Sequence, residues 1–220
     1  MKHAAAAPFE GPLAWAAPLR NQLQQSRLFA DLMTDGGVRR VGVCASHAGA
    51  GASSVALNLA VMLHERSGQP VLLVEGDLRK PEFASRHGLN AAPGLAEFSR
   101  GEASAEQACR QLPGSGVSLL PARADGLALP LLLEAAARLP ELSQSFHYVV
   151  VDLPPVLEFP DASLLGTGLD GVVLVVEAEE TRWHVAREAV KRLEAGGVKL
   201  LGVVLNKQRH VIPDWLYRLL

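Results

Sequence analysis

The chain has 220 residues, 49% of them apolar, which suits one α/β domain with a buried core and excludes a disordered chain. Its 21 Lys and Arg against 23 Asp and Glu residues give a net charge of −2, so we expect no nucleic-acid partner. The two cysteines, Cys44 and Cys109, are too few for a disulfide framework. The sequence shows no secretory signal and no apolar run of about 18 residues, so we expect a cytoplasmic chain.

Two flanking segments are predicted around one central domain. Apolar residues recur at helical spacing from Leu19 to Met33, which predicts one amphipathic helix in an N-terminal extension over residues 1–37. The central domain spans residues 38–207. A C-terminal tail over residues 208–220 is predicted to close the protein's own core, and an amphipathic docking segment is the alternative.

Short apolar runs alternate with helical stretches along the central domain. The runs predicted as strands are Val38–Ala45, Val71–Glu75, Val117–Pro121, Tyr148–Asp152, Gly171–Glu177 and Leu200–Leu205. Helices are predicted over Ser53–Arg66, Leu129–Leu139 and Arg182–Glu194. Several of the strands are apolar at every position, which is typical of a parallel sheet covered on both faces. The pattern therefore predicts a three-layer, doubly wound α/β fold with a mostly parallel sheet.

A glycine-rich loop joins the first predicted strand to the first predicted helix. Its residues are Gly49, Ala50, Gly51, Ala52, Ser53 and Ser54. A strand, a glycine-rich turn and a helix together aim backbone N–H groups and the positive helix end at a phosphate. A complete P-loop ends in Gly-Lys-Ser/Thr, whereas this loop ends in Gly-Ala-Ser. Taken alone, the loop fits equally well a small-residue turn that packs strand and helix closely.

Acidic residues lie at the ends of two further buried strands. Glu75 and Asp77 follow one strand, and Asp152 ends another. Each acid alone fits a helix cap or a turn. In a doubly wound sheet, however, ligands bind beyond the carboxyl ends of the strands, where these acids would face the glycine loop. The combination predicts a phosphate site at which the acids hold Mg²⁺, directly or through water.

The order of these motifs resembles that of the bacterial tyrosine kinases, cytoplasmic P-loop domains that partner polysaccharide co-polymerases in capsule and exopolysaccharide export. The segments that carry the resemblance are the glycine loop, VLLVEGDLRKP, YVVVDLPPV, LDGVVLVVEAEET and LGVVLNK. The family belongs with the MinD/ParA-type ATPases. The resemblance implies a P-loop NTPase-like fold, ATP or ADP with Mg²⁺, a membrane co-polymerase partner, a homo-oligomer, and a peripheral position at the inner face of the membrane through that partner.

The resemblance also implies roles for individual residues. The loop from Gly49 to Ser54 would wrap the nucleotide phosphates. Mg²⁺ would be held by Ser53, Asp77 and Asp152, with the two aspartates as the catalytic acids. Asn206 resembles the asparagine that contacts the adenine edge. Asp161 matches an aspartate that follows the Walker B loop.

The sequence departs from the family pattern at the site. Ala52 stands where the Walker lysine is expected, and Glu75 stands in place of the first aspartate of the Walker A′ pair. Losing such a charge contact costs about 3–4 kcal/mol of transition-state stabilisation, or roughly 10²- to 10³-fold in rate. Arg79 and Lys80 lie nearby in sequence, and we interpret both as surface cations.

These departures predict a degenerate, weakly active or inactive kinase-like protein that regulates exopolysaccharide polymerisation or export. The alternatives are an active autophosphorylating kinase or ATPase and a MinD/ParA-type spatial regulator. The chain has two tyrosines, Tyr148 and Tyr217, rather than the cluster that such kinases phosphorylate, which favours the first hypothesis. We interpret His47 as a solvent-facing loop residue, with a phosphate contact as the alternative, and Cys44 as an inert core residue.

Overall fold

The computed structural model describes residues 34, 37–89, 93–123 and 129–208. The helix predicted from Leu19 to Met33 lies outside the described residues, as does the predicted C-terminal tail beyond residue 208.

The centre of the molecule is a seven-stranded sheet with the order β3-β4-β2-β5-β1-β6-β7. Its strands are β1 Arg40–Ala45, β2 Val71–Glu75, β3 Arg110–Gln111, β4 Ser118–Leu120, β5 Tyr148–Asp152, β6 Gly171–Glu177 and β7 Leu200–Asn206. Every neighbouring pair is parallel except β3 and β4, so the predicted mostly parallel sheet is confirmed. Strand β3 is not among the predicted strands, because it has two residues and both are polar.

Helices cover both faces of the sheet. They are α1 Ala52–Ser67, α2 Phe83–Arg86, α3 Leu95–Ser99, α4 Ala105–Ala108, α5 Leu129–Arg138, α6 Asp161–Gly166 and α7 Trp183–Ala195, with a 3₁₀ helix over Leu139–Gln144. One core lies between α1 and the sheet, and the other lies between the opposite face and α3, α5, α6 and α7. Alternate residues of β5 enter the two cores, which confirms the three-layer α/β fold. None of the helices within the described ranges has the length and apolar character needed to cross a bilayer.

The sheet topology brings three strand ends together. Strand β5 lies between β2 and β1, so that Asp152 is in register with Glu75 on one side and with Val43 on the other. The loop that leaves β1 therefore starts beside Asp152. The carboxyl ends of β1, β2 and β5 form the edge at which a doubly wound sheet binds its ligands.

Candidate functional site

The glycine loop has a backbone conformation that requires its two glycines. Gly49 and Gly51 have φ values of +87° and +93°, a region that other residues rarely adopt. A Cβ atom on Gly51 would also lie 2.3 Å from the side-chain nitrogen of Asn206. That nitrogen donates a 2.8 Å hydrogen bond to the carbonyl oxygen of Ala50, which is fully buried. Asn206 therefore supports the loop from behind, and a contact between Asn206 and adenine remains a prediction.

An open cavity of about 440 Å³ lies in front of this loop. The predicted site residues that line it are Gly49, Gly51, Ala52, Ser53, Ser54, Asp77 and Asp152. Ala50 and Asn206 are not among the lining residues. The fold thus brings most of the predicted phosphate and metal residues to one concave surface, while their roles in binding remain predictions.

Asp152 is a buried carboxylate with an unused acceptor. Asp152 is 3% exposed, and its Oδ1 atom has no hydrogen-bond partner within the described part of the chain. Burial raises the pKa of Asp152 to about 8; the Ser53 hydroxyl lowers it, and the charges of Asp77 and Glu75 raise it further. Asp152 lines the cavity together with Ser53 and Asp77, and such a set of oxygen donors fits Mg²⁺, which prefers oxygen ligands.

Glu75 has a different environment, although it ends the strand next to Asp152. Its Oε1 accepts a 2.6 Å hydrogen bond from the N–H of Phe83, and its Oε2 accepts a 2.9 Å bond from the N–H of Ala122. Burial raises the pKa of Glu75, and these backbone donors lower it. Glu75 does not line the cavity, so the expectation that it would face the glycine loop is wrong. It instead ties the end of β2 to α2 and to the segment after β4.

Asp77 lies half-buried at the cavity wall. Its Oδ1 accepts hydrogen bonds of 3.1 Å from the N–H groups of Arg79 and Lys80, which form a tight turn. Burial is the largest effect on the pKa of Asp77 and raises it, while the two backbone donors lower it. Asp77 and Asp152 thus both line the cavity, and their role as Mg²⁺ ligands remains a prediction.

Arg79 also lines the cavity, but its guanidinium already has partners within the protein, the carboxylate of Asp161 and the ring of Phe159. Its Nε donates to Asp161 Oδ2 at 2.8 Å and its Nη2 to Asp161 Oδ1 at 3.1 Å, and its Cζ lies 4.1 Å from the centre of the Phe159 ring. The Asp161 side chain is only 3% exposed. This ion pair clamps the loop after β2 to the start of α6, so Arg79 is more than a surface cation.

Three further charged residues of the cavity wall were not predicted from the sequence: Glu82, Arg86 and Glu158. Glu82 forms ion pairs with Lys80 and Arg86. The four-residue spacing of Glu82 and Arg86 could have indicated their pairing on a helix, but no sequence signal placed them at the cavity.

The glycine loop also has polar contacts besides the one to Asn206. Glu158 Oε1 accepts a 2.7 Å hydrogen bond from the N–H of Ala48. His47 is half-buried, lines the cavity and has its Nδ1 2.9 Å from Ser46 Oγ, so it is not simply solvent-facing. Cys44 is fully buried, which confirms it as a core residue, and burial raises its pKa to about 12, which disfavours the reactive thiolate.

The fold and the loop define a P-loop NTPase-like protein, and comparisons with known proteins narrow this class. No family model matches the sequence. The chain is 32% identical to the tyrosine-protein kinase YwqD of Bacillus subtilis over 167 aligned residues. The alignment covers 73% of this chain and 69% of YwqD. The structure of the present chain superposes on that of the VpsO kinase domain with a TM-score of 0.76 and 28% sequence identity. The superposition covers 89% of this chain and 97% of the VpsO chain. The chain belongs to the family of bacterial tyrosine-protein kinases.

Two other proteins are similar to this chain over different extents. The succinoglycan biosynthesis transport protein ExoP of Rhizobium meliloti is 30% identical over 196 residues, which are 84% of this chain and 24% of ExoP. The chain thus spans about a quarter of the length of this relative. Cobyrinic acid a,c-diamide synthase of Mycobacterium smegmatis, solved with an ATP analogue and magnesium, shares the fold at a TM-score of 0.63 and 20% identity, over 79% of this chain and 78% of that one.

Proposed function

We propose that this chain is a regulatory member of the bacterial tyrosine kinase family. It binds a magnesium nucleotide weakly, transfers phosphate poorly or not at all, and controls exopolysaccharide polymerisation or export through a membrane co-polymerase. In this proposal residues 38–207 form the nucleotide-binding domain. Residues 1–37 and 208–220 are flanking segments.

One observation carries the proposal. Ala52 is the first residue of α1, is 9% exposed and lines the cavity next to Ser53. By resemblance to the family, this is the place of the lysine that neutralises the terminal phosphates. A methyl group cannot stabilise the charge that develops during phosphoryl transfer, and such stabilisation is the main contribution of the protein to this reaction.

The rest of the site supports nucleotide binding. The backbone N–H groups from Gly49 to Ser54 would hold phosphates, and Ser53, Asp77 and Asp152 would hold Mg²⁺. When bound, Mg²⁺ supplies positive charge next to the phosphates. A carboxyl group must be deprotonated to act as a metal ligand. The pKa of Asp152 is raised to about 8, so Asp152 would release a proton when Mg²⁺ binds.

The proposed pathway is supported by the relatives. ExoP is named as a protein of succinoglycan biosynthesis transport, and YwqD as a tyrosine-protein kinase. The chain spans a quarter of ExoP, so this support concerns one part of that protein, and the co-polymerase partner is proposed from the resemblance to the family.

The proposal is tested by incubating the purified chain with Mg-ATP and mapping phosphate by mass spectrometry. We expect no stoichiometric phosphotyrosine on the wild-type chain, with the Asp152→Asn variant as the background control. Stoichiometric phosphotyrosine at Tyr217, abolished by Asp152→Asn, would overturn the proposal.

An active autophosphorylating kinase is the second candidate, and one observation favours it. Lys80 and Arg86 line the cavity and could supply positive charge that Ala52 does not. The same phosphate mapping separates the two candidates, because an active kinase modifies itself and a regulatory chain does not.

A further inference from the structure

The cavity is lined by cationic side chains that differ in the ion pairs they form. Among the described residues, Arg79, Lys80 and Arg86 line the cavity. Arg79 has a bidentate pair with Asp161, whose side chain is 3% exposed. If Arg79 moved towards a ligand, it would leave a buried carboxylate without a counter-charge, which is strongly unfavourable. Arg79 is therefore not available to a ligand.

Lys80 and Arg86 share one partner, Glu82. The Nζ of Lys80 lies 2.9 Å from Glu82 Oε1, and Arg86 Nη2 contacts Glu82 Oε2. The two cationic side chains are 79% and 64% exposed, and that of Glu82 is 34% exposed. Both cations lower the pKa of Glu82, which is consistent with a carboxylate placed between two positive charges. Glu82 thus holds two positive charges at the edge of the cavity.

These exposed ion pairs can be exchanged for a ligand at little cost. Ion pairs between exposed side chains contribute little to stability, because water screens them and ordering both side chains costs entropy. A phosphate offers more charge and more acceptor oxygens than one carboxylate, and an arginine can bind two of these oxygens at once. A phosphate that enters the cavity would therefore compete well with Glu82 for Lys80 and Arg86.

We propose that Lys80 and Arg86 together contact the phosphates of a bound nucleotide, without replacing the lysine in the transfer step, and that Glu82 holds this pair when no ligand is bound. This inference rests on the proposed function, because it assigns two further binding residues to the same nucleotide site. The loop and the pair line the same cavity, so a phosphate bound there could be contacted by backbone N–H groups and by cationic side chains.

The experiment measures the binding of Mg-ADP by calorimetry. The test variant carries Lys80→Gln and Arg86→Gln, and the matched control carries Arg66→Gln and Lys191→Gln, which remove two exposed cations outside the cavity lining. We expect the test variant to lose about tenfold in affinity, as two charge-assisted contacts imply, and the control to match the wild type. Glu82→Gln should raise the affinity about threefold, whereas Glu188→Gln on the exposed side of α7 should not.

The outcomes separate the inference from the proposed function. If the wild type binds Mg-ADP and the Lys80/Arg86 variant binds it equally well, the cation pair is not part of the site, while the proposed function stands. If the wild type shows no binding at millimolar Mg-ADP, the nucleotide-binding part of the proposed function fails, and the inference fails with it. Circular dichroism of each variant shows whether a loss of affinity comes from misfolding.

Discussion

Glu75 and Asp152 end two neighbouring strands in direct register, yet their surroundings differ. Both are buried carboxylates whose pKa burial raises. Glu75 has a backbone N–H on each oxygen, whereas Oδ1 of Asp152 has no partner in the described part of the chain and Asp152 lines the cavity. Backbone hydrogen bonds occupy both oxygens of Glu75, whereas Asp152 keeps an oxygen available to a ligand.

The largest expected effect of a substitution at constant pH comes from removing Glu75. Glu75→Ala leaves the buried N–H groups of Phe83 and Ala122 without acceptors, so we expect a loss of about 3 kcal/mol in the free energy of unfolding. Urea denaturation measures the loss. Glu158→Ala is the control, because it removes one backbone contact of an exposed carboxylate and should cost less than about 1 kcal/mol. Equal losses for the two variants would contradict a structural role of Glu75.

The ion pair of Arg79 with Asp161 can be compared with the ion pair of Arg138 with Glu141. Arg79 and Arg138 each pair with a carboxylate and lie over a phenylalanine ring, but Asp161 is 3% exposed and Glu141 is 47% exposed. We expect Arg79→Met to lower the free energy of unfolding by about 2 kcal/mol. Loss of a partner from a fully buried ion pair would cost more, but the Arg79 side chain is 37% exposed and water screens its charge. Arg138→Met should cost less. The opposite order, measured by thermal or urea unfolding, would show that burial of the carboxylate does not govern the clamp.

The carboxylate that faces the cavity should affect stability in a pH-dependent way. Folded Asp152 keeps its proton up to a pKa of about 8, whereas an unfolded aspartate releases it near its ordinary value of 3.8. Between these values the folded state holds one more proton, so this group makes the protein less stable as the pH rises, by about 1.4 kcal/mol per pH unit.

The test is urea denaturation of the wild type and Asp152→Asn in EDTA from pH 5 to 8. We expect the variant to gain stability relative to the wild type as the pH rises. Parallel curves would show that Asp152 titrates at its ordinary value in the folded protein.

The smallest expected effect concerns the glycine loop itself. Ala52→Lys places a positive charge at the start of α1 beside the available carboxylate, so we expect the affinity for Mg-ATP to rise about fivefold. Calorimetry measures the change, and Ala52→Gln controls for side-chain length without charge. An unchanged affinity for Ala52→Lys would mean that the cavity does not place phosphates next to this position.

The sequence was informative where a residue's environment follows from its neighbours in the chain. Uninterrupted apolar strands such as β2 and β6 predicted the parallel sheet and the two cores, and the glycine loop and Asp152 were placed at the correct edge. Strand β3 could not be predicted, because a two-residue polar strand depends on its pairing with β4. The role of Glu75 was missed for a similar reason, because its second donor, Ala122, is 47 residues away in sequence.

The support behind the glycine loop has a consequence for the thermodynamics of ligand binding. The hydrogen bond from Asn206 to Ala50 and the hydrogen bond between Glu158 and Ala48 fix the shape of the loop. A loop that is already ordered loses little conformational entropy when a ligand arrives. A ligand would therefore gain nearly the whole enthalpy of its contacts with the backbone N–H groups, and even a site that lacks the lysine can retain measurable affinity.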